Sequence, residues 1–145
     1  MRYLLAAVVL VAAGLIVFLG GQRSKENRQV SKEQTQLKPQ TNSEGQVEVE
    51  VTPVDVSPNS EAWKFGVTLN THSVELDYDL KKITVLVDDK GTAFRPEIWE
   101  GAGPGGHHRE GILKFPTFPT MTDTITLNIQ DVGDIAERSF TWSIE

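Results

Sequence analysis

Leu4 to Leu19 form an unbroken apolar run of 16 residues, and nothing like it recurs in the chain. With Tyr3, Gly20 and Gly21 the run reaches 19. At about 1.5 Å per residue, a helix of that length spans about 28 Å, close to the hydrocarbon thickness of about 30 Å. A helix also satisfies its own backbone in lipid, which no irregular segment does. Residues 1–21 are therefore expected to be a transmembrane anchor contacting the membrane through residues 3–21, with Tyr3 at the headgroups. The rival reading is a cleaved signal peptide. The run is longer than an ordinary signal core of about 7–15 residues, and the Phe18-Leu19-Gly20 exit lacks a small-x-small cleavage site. The chain has no cysteine, which excludes a lipidated-Cys anchor, a disulfide framework, thiolate metal sites and a Cys nucleophile.

Orientation has two opposing signals. Arg23, Lys25, Arg28, Lys32 and Lys38 follow the run and only Arg2 precedes it, which favours a cytoplasmic C-terminal part. Long domains, however, translocate largely regardless of charge. A two-residue tail followed by a signal-anchor and a domain is the usual layout of an exported protein. The expectation is a single-pass membrane protein whose domain is extracytoplasmic.

The net charge of −6 is unevenly spread. Residues 22–46 hold five basic and three acidic groups, a net +2, whereas residues 47–145 hold eight basic and 17 acidic, a net −9. An acidic folded part speaks against nucleic acid, which needs a basic face. It is compatible with cation binding or a basic partner. Residues 22–46 are rich in Gln, Lys, Glu, Ser and Thr and cannot bury enough surface to offset ordering, so they read as a disordered linker.

From Val47 the hydrophobic period becomes two. Val47, Val49 and Val51 alternate with polar residues, as do Trp63, Phe65, Val67 and Leu69, then Val74, Leu76, Tyr78 and Leu80. Ile83, Val85 and Val87 follow, ending in the hairpin signal Asp88-Asp89-Lys90-Gly91. Thr92 to Trp99 reads as the return strand, interrupted by Pro96, and Ile112 to Phe115 as a short strand closed by Pro116. Ile125, Leu127 and Ile129, then Phe140, Trp142 and Ile144, flank a turn at Gly133. Seven to nine short strands without a convincing helix predict an all-β domain over 47–145. An immunoglobulin-like antiparallel β-sandwich fits best, with a small β-barrel as the alternative. Trp63, Trp99 and Trp142 read as core or rim aromatics.

The order of anchor, tether and acidic sandwich, with Phe65 to Val87 running into Asp89-Lys90-Gly91, resembles the uncharacterised immunoglobulin-like extracytoplasmic domains found on single N-terminal anchors in bacterial and archaeal membrane proteins. That resemblance implies a binding or scaffolding role and carries over no catalytic residue.

Chemistry concentrates in Glu100 to Gly111, where five of 12 residues are glycine and which contains Gly106-His107-His108-Arg109. The third histidine, His72, lies at another strand end. His72, Gly106, His107, His108 and Arg109 are thus the candidate binding loop. Three readings compete. In one, the histidines are structural and Arg109 pairs with a neighbouring carboxylate. In the second, His72, His107 and His108 bind zinc or copper, completed by Asp77, Asp79, Glu100 or Glu110. In the third, consecutive glycine N–H groups form an anion nest with Arg109. There is no Gly-x-Ser-x-Gly elbow and no complete EF-hand loop, so an enzyme is not expected. The function expected is a non-enzymatic, membrane-anchored binding module on a flexible tether, with no cofactor, meeting another envelope protein. The alternative is a histidine-based divalent-metal binder.

Overall fold

The computed structural model describes residues 37–117 and 122–144. The apolar run at 1–21 and the first part of the tether lie outside the described residues. Among the described residues, no helix is long and apolar enough to cross a membrane.

Nine strands and one helical turn follow in order. They are β1 (Gln40–Asn42), β2 (Val47–Asp55), β3 (Ala62–Thr71), α1 (Leu80–Ile83), β4 (Thr84–Asp88), β5 (Ala93–Phe94), β6 (Ile98–Gly101), β7 (His108–Pro116), β8 (Thr124–Val132) and β9 (Ile135–Ser143). They form two antiparallel sheets, β1-β2-β3-β7-β6 and β5-β4-β8-β9, packed as a β-sandwich. The alternating runs explain this arrangement. On the inward face Val49 and Val51 of β2 lie beside Leu69 and Val67 of β3, flanked by Val47 and Phe65, and all are buried. Ile125, Leu127 and Ile129 on β8 lie beside Phe140 and Trp142 on β9. Trp63 and Trp142 are core residues and Trp99 is half-buried.

Several elements depart from their sequence reading, each for a local reason. Residues 40–42, assigned by composition to the tether, form β1 against β2. Contacts about 100 residues away hold this segment: Trp142 Nε1 donates to Lys38 O at 2.7 Å and Gln40 Nε2 to Thr141 O at 2.6 Å. The run 74–80 is not a strand. Leu76 and Leu80 are buried as alternation requires, but the backbone bonds to the glycine-rich loop and ends in α1, capped by Asp79 accepting from Lys81 N. On β4 the phase is inverted, so Thr84 and Leu86 face the core while Val85 and Val87 stand outward, half-buried. The run Ile83-Thr84-Val85-Leu86-Val87 is almost continuously apolar, so either phase buries similar surface. Thr92 to Trp99 is two strands, because the chain passes from one sheet to the other around Pro96, which has no N–H to continue a ladder. Finally, β7 begins at His108 rather than Ile112, which shortens the loop to 102–107.

At the opposite end, Asp55 organises the β2–β3 turn. Its Oδ1 accepts from Ser60 Oγ at 2.5 Å and Ser57 N at 3.2 Å, with Lys64 4.0 Å from Oδ2. The Ser60 hydroxyl above all, then Ser57 and Lys64, hold its carboxyl below the usual 3.8, against a smaller opposing effect of burial. A depressed folded pKa contributes stability that is complete above the unfolded value and lost as pH falls through the folded one. The melting-temperature gap between wild type and Asp55→Asn should therefore be constant at neutral pH and close below pH ~4. A gap independent of pH would show that the carboxylate charge is irrelevant there.

Candidate functional site

The sequence-predicted residues gather at one end of the sandwich, where β2 begins, β3 ends, and β7 and β9 begin. Three connections meet there: 72–79 after β3, 102–107 between β6 and β7, and the two-residue turn Gly133-Asp134. Both turn residues have positive φ (59° and 63°), the geometry that matches strand twist in a tight hairpin.

Arg109 is the anchor of this end. It shares the inward face of β7 with Leu113 and Phe115 and is 1% exposed. Its Nη1 donates to Leu76 O at 2.9 Å and Tyr78 O at 2.8 Å, and its Nη2 to Ala102 O at 3.2 Å. The guanidinium also stands 5.8 Å from the Trp99 ring centroid, within cation–π range. None of the ion pairs among the described residues involves it, so the expected carboxylate partner is replaced by main-chain carbonyls from two connections. Burial pulls its pKa below the ordinary value, and the fields of Asp77 and Asp79 oppose that. The expected role as a contact residue is corrected: Arg109 ties the loops together from beneath.

Trp99 reaches over β7 because glycine lies under it. A Cβ at Gly111 would stand 2.5 Å from Gly101 Cα and 2.7 Å from the Trp99 ring. The paired glycines of β6 and β7 thus leave room for the indole beside the guanidinium, and its Nε1 donates to Ala102 O at 2.9 Å.

The nest reading fails on the same geometry. Gly105 and Gly106 do have positive φ (111° and 75°). Their N–H groups are already used, Gly105 N by Leu76 O at 2.9 Å and Gly106 N by Glu75 Oε2 at 2.8 Å. The chain supplies its own carboxylate where an external anion was expected.

The histidines are exposed and do not converge. His108 faces outward on β7, its Nδ1 2.5 Å from Asn70 Oδ1 and its Nε2 3.6 Å from Glu110 Oε2. His107 contributes its carbonyl to Thr71 N at 3.0 Å, and His72 follows the end of β3. Among the described residues, no group of three His, Asp or Glu side chains is placed to hold a metal ion, so the set His72, His107 and His108 is not assembled as a zinc or copper site.

A second buried arginine was missed. Arg138 on β9, also 1% exposed, donates from Nη1 to Val132 O at 2.8 Å, and from Nη2 to Glu44 O at 2.5 Å and Val47 O at 2.9 Å. Tyr78 joins the two networks, its hydroxyl accepting from Gly133 N at 3.1 Å. The signal was present, because Arg138 has the same parity as Phe140 and Trp142. Arg109, Arg138 and Tyr78 therefore tie those three connections, and the β1–β2 turn at 43–46, together at one end of the sandwich, beneath exposed His72 and His107. Against this geometry, no family model matches the chain, and neither a curated protein nor a solved structure does.

Proposed function

We propose that the chain is a membrane-anchored, non-enzymatic interaction module of the cell envelope, an immunoglobulin-like sandwich that meets a partner protein with its arginine-fixed loop end. The strand order supports the immunoglobulin-like part. The sheets β2-β3-β7-β6 and β5-β4-β8-β9 follow the A-B-E-D and C′-C-F-G arrangement, with β1 added at the edge. In that arrangement the connections 72–79 and 133–134 correspond to the B–C and F–G loops, which present ligands in variable domains. The 16-residue apolar run supports the anchor.

The observation that carries the reading is the expenditure of two buried guanidinium groups on loop carbonyls. Loops of this composition would otherwise be mobile, and ordering them beforehand lowers the entropy cost of association. A photo-crosslinking side chain at His72 or His107 of the full chain, in its own cells, should give discrete adducts of higher mass. The same group at Lys90, in the β4–β5 hairpin at the far end, should not. Equal labelling from both ends, or none from either, sinks the proposal.

A further inference from the structure

Of the three strand glycines among the described residues, two are required by the fold. Gly101 and Gly111 oppose each other too closely for a Cβ on either. Gly66, in the middle of β3, has neither excuse. Its φ is not in the left-handed region, and an added Cβ would meet Thr52 and Val54 at 3.7 Å, an ordinary contact. A glycine in a strand interior weakens the strand and often marks the close approach of a ligand or another backbone.

Its outward side explains it. The row Thr52–Gly66–Ile112–Glu100 crosses the outer face of the larger sheet, and along it runs a furrow of about 610 Å3 that Gly66 lines together with Thr68, Glu110 and Ala102. Glu50, Thr68 and Glu110 form the next row toward the loop end. Val54 and Ile98, the two large hydrophobics that stand exposed among the described residues, both lie on this face on the other side. The outer face of the smaller sheet carries Thr126, Asn128, Ser139 and Thr141, with Val85 and Val87 only half-exposed among them. The furrowed face bears five acids (Glu48, Glu50, Asp55, Glu100, Glu110) against two lysines, a net −3. Both lysines are engaged, Lys114 with Glu100 at 2.6 Å and Lys64 with Asp55 at 4.0 Å.

We infer that this furrow is a docking site for an extended segment of a partner protein that alternates arginine or lysine with aliphatic residues. The cationic side chains meet Glu50 and Glu110, the aliphatic ones Ile112, Val54 and Ile98, and the segment's backbone passes over Gly66. Charge complementarity selects this occupant over an acidic one, since like charges against that rim repel. The inference rests on the binding-module reading but uses a different face from the loops, so the loop cross-linking and the test below fail independently.

The test uses the full chain and two fluorescein-labelled hexapeptides, one alternating arginine with valine and one alternating glutamate with valine, read by anisotropy. The arginine peptide should bind saturably and the glutamate peptide should not. Gly66→Val should weaken binding by about tenfold or more. The melting temperature of the separate variant Gly66→Ala should stay level or rise by roughly 2–8 °C, as removing a strand glycine does. Glu110→Gln should weaken binding a few-fold and flatten its salt dependence. Undiminished binding to Gly66→Val, equal binding of both peptides, or no saturable binding overturns the inference. Binding that appears only when Arg23, Lys25 and Arg28 are each exchanged for Gln would assign the furrow to the chain's own basic segment and overturn the partner assignment.

Discussion

Replacing Arg109 by alanine is expected to lower the stability of the sandwich by about 3–5 kcal/mol. The side chain makes three hydrogen bonds from a charged donor, to Leu76 O, Tyr78 O and Ala102 O. Bonds of that kind contribute ~1.5–3 kcal/mol each, offset by the cost of taking the cation out of water. Alanine avoids that cost but strips Tyr78 O of its donor, leaves Leu76 O and Ala102 O with one each (Gly105 N and Trp99 Nε1), and opens a void beside Trp99. In a domain of this size the change corresponds to a fall in melting temperature on the order of 15–30 °C. Lysine should rescue little, because a single ammonium on a flexible stem lacks the planar fork that reaches carbonyls from two connections. Hydrogen exchange separates local from global loss. The amides of Leu76, Gly105 and Gly106 should exchange faster in Arg109→Ala under conditions where those of Val67 and Leu127 are unchanged. Uniform acceleration would mean that Arg109 supports the core as a whole and that the loops are not its particular charge.

How much of this was legible depends on which faces each segment buries. Strands β2, β3, β8 and β9 have one buried and one exposed side, and their alternation gave the correct inward residues. The core segment of β4 is apolar on both sides, so its phase was open and was settled by tertiary packing of Leu86. The segment 74–80 alternates because Leu76 and Leu80 enter the core in turn, yet its hydrogen bonds go to a glycine loop, which no periodicity records. The same limit applies to β1, whose anchors lie a hundred residues away. At the site, composition located the loop correctly but misjudged its ends. Gly111 looked like loop and is strand, made possible by Gly101 opposite. Arg109 looked like a surface cation although Leu113 and Phe115 share its parity, and Arg138 carried the same unread signal with Phe140 and Trp142. A charged residue in phase with buried aromatics is a candidate internal staple. The separation of the three histidines depended on side-chain direction and was not legible at all.

Phe65→Ala should cost about 3–5 kcal/mol, through lost transfer of a fully buried ring and the cavity it leaves. Phe65 is 0% exposed and joins the two sheets. It meets Phe115 on the adjacent strand edge-to-face, with centroids 5.6 Å apart at 87°, and Trp142 across the sandwich at 5.8 Å and 41°. Such pairs add ~0.5–1.5 kcal/mol beyond the area they bury. Trp142 continues the cluster to Phe140 at 6.5 Å, so the ring cannot be replaced by sliding one neighbour without disturbing another. Denaturant unfolding gives the magnitude, and near-UV circular dichroism should lose the signal of a fixed Trp142. A cost below about 1.5 kcal/mol would mean that the core collapses freely into the space and that the aromatic cluster is not what holds the sheets together. The neighbouring position sharpens the comparison. Gly66 is one residue along the same strand and faces the other way, and Gly66→Ala is expected to leave stability level or raise it. Opposite signs at adjacent residues would separate what β3 does for the core from what its outer face is kept open to do.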